Sequence, residues 1–231
     1  MAPPPGYVAY AGAPTPTAKV SRVKGLSVAI AIVVGIAGVG GLLNGFLTSG
    51  LRATAQDFLD GQISSSEFQD ELISSTLLAG LVGVATIATM VLVMIWMYRI
   101  ASNLRAFGMD TTWHPLFAVF GWFLPPVVLY VIPFLMLREQ WTKSGGKGEN
   151  PTLGVWWLAF GIWPLISLGL SAGSLFDGIG QTDPEDVAQT LLNNSQTLTI
   201  VGSVVSLVAA VAWILFVRQL TARHQSLTGE R

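Results

Sequence analysis

Residues 96–141 decide the fold, and they read WMYRIASNLRAFGMDTTWHPLFAVFGWFLPPVVLYVIPFLMLREQW. A hydrophobic helix at the start of this stretch ends on a basic, polar turn, and a second apolar run follows from residue 116 to residue 137. Three prolines interrupt that run: Pro125, Pro126 and Pro133. The run is long enough to cross a bilayer, but its prolines divide it into helices that are too short to do so. We therefore predict that it dips into the membrane and returns on the same side.

The composition is that of a membrane protein. Of the 231 residues, 52% are hydrophobic and 11% are charged, and the mean hydropathy is +0.60. Soluble domains carry about 25% charged residues, so this chain has too little polar surface for a water-exposed globule. The net charge of -1 favours no nucleic-acid partner. The absence of cysteine and the presence of only two histidines predict no metal site and no cofactor.

Apart from the central run, four apolar runs of about 20 residues are long enough to cross a bilayer. They cover residues 25–47, 76–98, 153–175 and 197–217. We expect Arg99 to end the second of them and Pro164 to kink the third. Small residues in the first run form two pairs at four-residue spacing that would let a neighbouring helix approach closely: Ala31 with Gly35, and Gly41 with Gly45.

Acidic loops are predicted on either side of the central stretch, at residues 49–75 and 176–195. In the first loop, Ser64 and Glu67 have the spacing of a capping box and predict a short surface helix. In the second loop, Asp183 followed by proline predicts the start of a short helix that runs through Leu192.

The distribution of Lys and Arg favours one topology for the central run. If residues 116–137 crossed the membrane fully, five basic residues would be cytoplasmic and seven would not. If the run re-enters, 11 of the 12 are cytoplasmic and only Arg52 is not, as the positive-inside rule requires. We therefore predict an all-α membrane protein with four transmembrane helices and a proline-broken re-entrant or interfacial hairpin. Five transmembrane helices remain the alternative.

This topology predicts a location and three regions. Residues 1–24 are a disordered Pro/Gly/Ala-rich cytoplasmic tail, residues 25–220 are the helical membrane domain, and residues 221–231 are a polar cytoplasmic tail. The protein would be a multi-pass component of the cell (plasma) membrane with both termini cytoplasmic.

An ordered set of motifs gives the chain a family resemblance. It comprises Trp96-x-x-Arg99-x-x-x-Asn103-Leu104-Arg105-Ala106-Phe107-Gly108, Pro115, Gly121-Trp122-Phe123-Leu124-Pro125-Pro126, Pro133 and Arg138-Glu139-x-Trp141. Over roughly residues 75–220 the chain resembles the multi-pass membrane family called domain of unknown function 4328. The resemblance implies an actinobacterial-type membrane protein whose activity is not established. The family often has polar residues after the proline pair, where this chain has Val127, Val128, Leu129 and Tyr130.

Two sets of residues in the central stretch are the candidate sites. Candidates for contact with lipid or a partner are Arg99, Asn103, Arg105, Arg138, Glu139 and Trp141. Candidates for shaping the hairpin are Pro115, Gly121, Pro125, Pro126 and Pro133. The basic residues could hold lipid phosphates, or Glu139 could bridge Arg99 or Arg105 and pin the hairpin closed. They could equally be positive-inside anchors at the membrane surface.

The predicted spans contain no ionisable residue, which disfavours a pump or an ion channel. No catalytic residue set is evident, so we do not expect an enzyme. The leading hypothesis is a non-catalytic accessory or scaffold subunit that packs against lipids and against other membrane proteins or further copies of itself. The rival is a small transporter or lipid-handling protein that uses the hairpin around Pro125 and Pro126 as a cavity.

Overall fold

In the computed structural model, residues 16–124, 126–170 and 183–230 are described, without the side chains of 126–130 and 167–170. Regular structure in this part of the chain is entirely helical. The helices are α1 (Lys24–Leu59), α2 (Ser65–Ala106), α3 (Phe117–Phe120), α4 (Pro126–Lys143), α5 (Pro151–Trp156), α6 (Trp163–Leu170), α7 (Pro184–Asn193) and α8 (Gln196–Thr228). A 3-10 turn, Gly121–Phe123, follows α3, and a π-helical turn, Trp157–Ile162, joins α5 to α6.

The chain divides into two compact units. Unit 1 consists of Met1–Ser27, Met94–Glu149 and Arg218–Arg231, and unit 2 consists of Val28–Val93 and Asn150–Val217. Among the described residues, unit 1 therefore contains the segments before α1 and at the end of α8 together with most of the central stretch. Unit 2 holds most of the apolar length of the long helices.

Three helices, α1, α2 and α8, are long and apolar enough to cross a membrane. Much of their apolar surface is uncovered: on α2, Leu77, Leu81, Val84 and Ile87 are each at least 66% exposed. A water-soluble domain rarely leaves so long an apolar face open, whereas lipid tails cover such a face without cost. The helices support a membrane protein, as the composition predicts.

The first acidic loop is much shorter than the predicted 49–75. Helix α1 continues to Leu59 and α2 begins at Ser65, so only residues 60–64 connect them. The capping box is confirmed: the Ser64 backbone N–H donates to Glu67 Oε2 over 2.8 Å, and the Glu67 N–H donates to Ser64 Oγ over 3.3 Å. It opens α2 itself, so the prediction of a separate short surface helix was wrong.

Arg99 does not end α2, contrary to the prediction. Arginine is a good helix former, so a charge after an apolar run can mark the membrane surface without ending the helix. The helix ends only after Ala106, where Gly108 adopts a φ of 71°. There the Gly108 N–H donates to the Arg105 carbonyl and the Met109 N–H donates to the Leu104 carbonyl, which is a Schellman motif.

The central apolar run is broken once, not twice. Leu124 is extended, with φ -80° and ψ 163°, as the clash of a following proline ring with the preceding residue dictates. Pro126 then occupies the first position of α4, where its missing N–H costs nothing. Pro133 was expected to break the helix again, but it lies inside α4. Its missing N–H removes one hydrogen bond from a helix that continues to Lys143.

The 3-10 turn folds back onto α4. A Cβ added to Gly121 would lie 3.4 Å from Ile132 Cγ2 and 3.8 Å from Pro133 Cγ, at ordinary van der Waals distance, so the turn packs directly on α4. Pro115 and Gly121 are both buried. Of the predicted hairpin residues, Gly121 and Pro133 therefore lie where the segment packs on itself. Pro125 and the Pro126 side chain are outside the described residues.

The third apolar run is helical but irregular. Asn150 caps α5, because its Oδ1 accepts hydrogen bonds from the N–H groups of Thr152 and Leu153. The π-helical turn ends two residues before Pro164, which cannot donate a backbone hydrogen bond and displaces the carbonyl one turn earlier. The predicted distortion near Pro164 thus takes the form of a π turn. The end of this predicted span and the first part of the second acidic loop, residues 176–182, lie outside the described residues.

Unit 2 is held together by close approach of α1 and α8. A Cβ on Gly45 would lie 1.9 Å from Ser203 Oγ, and a Cβ on Gly38 would lie 2.6 Å from the Ala210 Cβ. The two glycines and their two partners are each seven residues apart, which is two helical turns. The predicted role of Gly45 is confirmed, whereas Gly35 and Gly41 face open space. Gly38 was missed.

A small lobe of unit 2 joins the end of α1, the start of α2 and α7. Ala55, Phe68 and Ala188 form its buried centre. Helix α7 begins at the predicted cap, where Asp183 Oδ1 accepts from the Glu185 N–H over 3.0 Å. Arg52 donates to the carbonyl oxygens of Leu191 and Leu192 at the end of α7, over 2.6 and 2.7 Å. The only predicted non-cytoplasmic cation thus satisfies carbonyls at a helix C-terminus.

The described parts of both predicted tails make contacts within unit 1. The Thr17 N–H donates to the Ala106 carbonyl over 2.8 Å, so residues 16–23 lie against the end of α2 instead of forming a free tail. Helix α8 continues past residue 220 to Thr228, and Leu220, Thr221 and His224 are buried. The proposed boundary at 220 therefore falls within one helix, because buried side chains keep its last turns folded. Residues 1–15 and 231 are outside the described residues.

Candidate functional site

Asn103 is the centre of the buried polar contacts in unit 1. It lies in the last turn of α2 and is 1% exposed. Its Oδ1 accepts a hydrogen bond from the Ser21 N–H, and its Nδ2 donates to the Ser21 carbonyl, each over 2.8 Å. The amide thus pairs with both backbone groups of Ser21, as a neighbouring β-strand would. This pairing establishes which atom of the amide is Oδ1 and which is Nδ2.

The same amide reaches His224, which is fully buried near the end of α8. Asn103 Nδ2 lies 3.0 Å from His224 Nε2, and Ser144 Oγ, after the end of α4, lies 3.3 Å from His224 Nδ1. Because Nδ2 can only donate, Nε2 must accept and the imidazole proton must be on Nδ1, where it donates to Ser144. We call Ser21, Asn103, Ser144 and His224 the polar hub.

His224 is neutral in this position. It lies beyond the apolar run that ends at Val217, and burial lowers its pKa to about 4, with the nearby Glu230 carboxylate opposing the shift. A proton on Nε2 would also face the donating Nδ2 of Asn103. Burial and hydrogen bonding therefore both favour the uncharged imidazole at neutral pH.

The polar hub brings the two ends of the central stretch together. Asn103 precedes the hairpin and Ser144 follows it, yet both contact one imidazole ring. Two further bonds link the same helices: Trp96 Nε1–H donates to Thr221 Oγ1 and Gln140 Nε2–H donates to the Met97 carbonyl, each over 3.0 Å. The chain between residues 103 and 144 thus leaves and returns at the same place within unit 1.

The expected ion pair across the hairpin mouth does not form. Glu139 accepts hydrogen bonds from the backbone N–H groups of Thr112 and Trp113, over 2.6 and 3.3 Å. Arg99 donates to the Arg22 carbonyl over 2.9 Å, and Arg105 donates through Nε to Thr111 Oγ1 over 2.9 Å. The hypothesis was wrong because each charge has another partner: backbone N–H groups for Glu139, a backbone carbonyl for Arg99 and a threonine hydroxyl for Arg105. A residue pattern does not reveal these partners.

The other predicted charge, Arg138, forms an ion pair with Glu149. Both side chains are more than half exposed, so this pair adds little to stability. Of the six candidates for contact with lipid or a partner, Asn103 is therefore in the polar hub and four have partners within unit 1. Trp141 is buried at 6% exposure, and it too has partners within unit 1.

Comparison with known proteins gives a family. A family model described as "Domain of unknown function (DUF4328)" matches residues 60–222, which is well over half of the chain. The chain belongs to the DUF4328 family. No curated protein and no solved structure matches it. The part that matches the family includes Asn103 and Ser144 but neither Ser21 nor His224, so half of the polar hub lies outside it.

Trp141 of this DUF4328 protein is held on several sides. Its Nε1–H donates to the Gly148 carbonyl over 3.1 Å, and the guanidinium carbon of Arg223 lies 4.5 Å from the centre of the indole ring. A Cβ on Gly146 would lie 2.4 Å from the ring, so the loop after α4 packs directly on the indole. Arg223 also donates to the Gly145 carbonyl over 2.9 Å. The loop and the arginine therefore fix each other's position.

Sequence reasoning missed His224 and Arg223 because it placed a polar tail after residue 220. A signal was present in the sequence. Phe216, Leu220 and His224 follow one another at four-residue intervals, and all three are fully buried. This spacing continues one helical face beyond the apolar run, and a histidine on that face needs partners.

The polar hub of this DUF4328 protein is not arranged for nucleophilic catalysis. A base that activates a serine must accept the hydroxyl proton, whereas His224 Nδ1 carries a proton and donates to Ser144. Asn103 presents a donor to the other ring nitrogen, so it could not stabilise an imidazolium. Ser144 is 4% exposed. Among the described residues, no group of three or more His, Asp or Glu is placed to hold a metal ion.

Proposed function

We propose that this DUF4328 protein is a non-catalytic accessory or scaffold subunit of the plasma membrane. It has four transmembrane helices, cytoplasmic termini and a re-entrant hairpin at residues 116–137. The observation that carries the role is the uncovered apolar face of α2, and the topology is supported separately by the polar hub.

The re-entrant topology is favoured by the contacts of one histidine. A hairpin that enters and leaves on the same side must begin and end close together, as Asn103 and Ser144 do at His224. A single crossing would separate the ends by about 30 Å, the thickness of the hydrocarbon core. The charges agree: of the described residues, unit 1 contains ten basic and four acidic ones, and unit 2 contains one basic and eight acidic ones.

Cysteine labelling in intact cells tests this topology, because the chain has no native cysteine. Lys147→Cys and Ser226→Cys should be protected from a membrane-impermeant maleimide, and Asp186→Cys should react. All three positions are exposed in the structure. Gly148 is a poor position for the probe because its φ is 64°. Labelling of Lys147→Cys with protection of Asp186→Cys would mean a fifth span.

The scaffold role is favoured by how little of α2 is covered. On one face of α2, Leu77, Leu81, Val84 and Ile87 are each about two-thirds exposed, although the described part of the chain has two other long helices that could cover them. Helix α1 uses Gly38 and Gly45 to pack against α8, whereas the glycines of α2, Gly80 and Gly83, face open space. A transmembrane helix of another membrane protein would fit this face by van der Waals packing.

Photo-crosslinking in cells tests the scaffold role. A photoreactive residue replacing Leu81 should give one defined adduct with another integral membrane protein. The same residue replacing Ile36 on α1, which is 60% exposed, should react mainly with lipid and is the matched control. Equal, diffuse labelling from both positions would mean that lipid alone covers α2. An adduct between two differently tagged copies would indicate a homo-oligomer instead of an accessory subunit.

A lipid-handling or transport role is a second candidate because of one residue in the hairpin. Trp122 Nε1–H is buried and has no hydrogen-bond partner among the described residues. A polar group of a substrate could accept that hydrogen bond. Water access distinguishes the two roles: rapid reaction of Leu124→Cys with a small water-soluble thiol reagent would favour a cavity, and protection would favour the scaffold.

A further inference from the structure

A shallow groove of unit 1 lies beside Arg223 and Trp141. It is lined by Trp141, Gln219, Ala222, Arg223 and Ser226. Arg223 is exposed, and its guanidinium donates one hydrogen bond, to the Gly145 carbonyl. The guanidinium group has five N–H donors, and the others have no partner in the described parts of the chain. An exposed cation with unused donors is suited to an anion.

We infer that this groove binds the phosphate of an anionic phospholipid headgroup, with Arg223 as the principal ligand. The inference goes beyond the proposed scaffold role and does not depend on it. The guanidinium offers paired N–H groups that match two phosphate oxygens. Ser226 lies one helical turn after Arg223 on α8 and lines the same groove, but its hydroxyl donates to the Arg223 carbonyl over 2.6 Å, so the guanidinium supplies the donors to the phosphate. Ala222 supplies an apolar edge.

The position of Arg223 is set before any anion arrives. Trp141 supports one face of its guanidinium at 4.5 Å, and the Gly145 carbonyl holds one N–H. Trp141 is itself fixed by its bond to the Gly148 carbonyl and by Gly146 against its ring. Because the side chain is already ordered, little conformational entropy is lost on binding.

The surrounding charge favours an anion as well. Unit 1 has ten basic and four acidic described residues. Three of those four carboxylates are already engaged: Glu139 by backbone N–H groups, Glu230 by the N–H groups of Val23 and Lys24, and Glu149 by Arg138. Unit 1 therefore carries a net positive charge, which favours an anion at its surface. A membrane-surface location favours a lipid phosphate over a free one, because the lipid is concentrated there.

Native mass spectrometry of the full chain in detergent tests the site. Phosphatidylglycerol should be retained, and phosphatidylcholine should bind at least tenfold more weakly. Arg223→Gln should weaken phosphatidylglycerol binding about tenfold, since it removes a charge-assisted hydrogen-bonding group, and Arg223→Lys should lie between. Arg218→Gln is the matched control, because it removes the same charge from an exposed position on α8 outside the groove, and it should change binding less than twofold.

Four results would overturn the inference. Equal losses in Arg218→Gln and Arg223→Gln would mean a diffuse basic surface, and equal retention of the two lipids would mean no headgroup selection. Displacement of phosphatidylglycerol by low millimolar inorganic phosphate would assign the site to free phosphate. If Arg223→Gln lowers the thermal midpoint, the salt dependence of lipid binding by the wild-type protein is the test instead. Its preference for phosphatidylglycerol over phosphatidylcholine should fall as salt screens the charges. A preference that salt does not change would contradict the site.

Discussion

Asn103 and His224 contact each other at 3.0 Å although 121 residues separate them in the chain. One residue lies at the end of α2 and the other near the end of α8, and both are buried. A buried amide or imidazole without a partner costs about 1–3 kcal/mol. The contact is therefore a strong constraint on how the ends of these two helices pair.

His224→Ala should lower the stability of unit 1 by about 3 kcal/mol. The change removes both hydrogen bonds of the imidazole, leaves Asn103 Nδ2 and Ser144 Oγ each with one fewer, and opens a cavity. Thermal unfolding of the purified protein in detergent measures the effect. His114→Ala is the control, because His114 is exposed and should change stability by less than about 0.5 kcal/mol. Equal effects of the two changes would contradict a special role for His224.

Acidification should destabilise the protein between about pH 6.5 and pH 4. The folded state holds His224 with a pKa of about 4, below the ordinary value of 6.5, so in this range the unfolded state binds the extra proton. Stability is thus full above pH 6.5 and falls by about 3 kcal/mol as the pH approaches 4. Glu230 is the charged group that acts on this imidazole and it opposes the shift.

The measurement for this prediction is the thermal midpoint as a function of pH, in wild type and in His224→Ala. The variant should lose the part of the pH dependence that His224 supplies. If the wild-type and variant curves stay parallel from pH 6.5 to pH 4, His224 is not the source of the pH dependence of the thermal midpoint. His114→Ala again serves as the control and should follow the wild type.

The apolar parts of the long helices could be predicted from the sequence, but the residues at which those helices end could not. Composition and run length gave the apolar cores of α1, α2 and α8. Each helix continues well past its run because Arg, Gln and Ser are compatible with a helix. The true ends depend on backbone conformation, as at Gly108 with its φ of 71°, and glycines are common in this chain, so the sequence does not reveal which one ends a helix.

Gly45→Ala should destabilise unit 2, whereas Gly41→Ala should not. The Cβ at position 45 would lie 1.9 Å from Ser203 Oγ and 2.6 Å from the Ser203 Cβ, so α1 and α8 would have to separate. The Cβ at position 41 meets nothing within 4 Å. We expect a loss of about 1–3 kcal/mol for the first change and a neutral or slightly favourable effect for the second.

Thermal unfolding in detergent measures this pair of variants side by side. A double variant with Gly45→Ala and Ser203→Ala tests the mechanism, because removing Ser203 Oγ should recover part of the loss. Equal stability of Gly41→Ala and Gly45→Ala would contradict the close approach of the two helices.

Glu139→Gln should cost about 1–2 kcal/mol, because a charged acceptor of two backbone N–H groups becomes a neutral one. Exchanging Glu139 and Arg105 should not restore stability, because Arg105 needs an acceptor at Thr111 whereas Glu139 needs the N–H donors of Thr112 and Trp113. Thermal unfolding of the single and exchanged variants distinguishes these cases. Glu149→Gln removes an exposed ion pair and is the control, with an expected change of less than about 1 kcal/mol. Rescue by the exchange would restore the ion-pair hypothesis.

The candidate site was predictable in its residue types but not in its contacts. The cluster of Arg99, Asn103 and Arg105 was correctly singled out as polar residues beside an apolar run. Their partners, however, are Ser21, Arg22, Thr111 and His224, and three of these lie more than 75 residues away in sequence. A single sequence carries no information on such pairings, which depend on the return path of the hairpin and of α8.

The polar hub also sets an order of events during synthesis. A ribosome makes Ser21, Asn103 and Ser144 long before His224, so the first three must leave it without the imidazole that two of them bind. The hub closes only when the last turns of α8 have been translated. Any chain truncated before residue 224 therefore lacks the residue that joins both ends of the hairpin, however completely its earlier helices have formed.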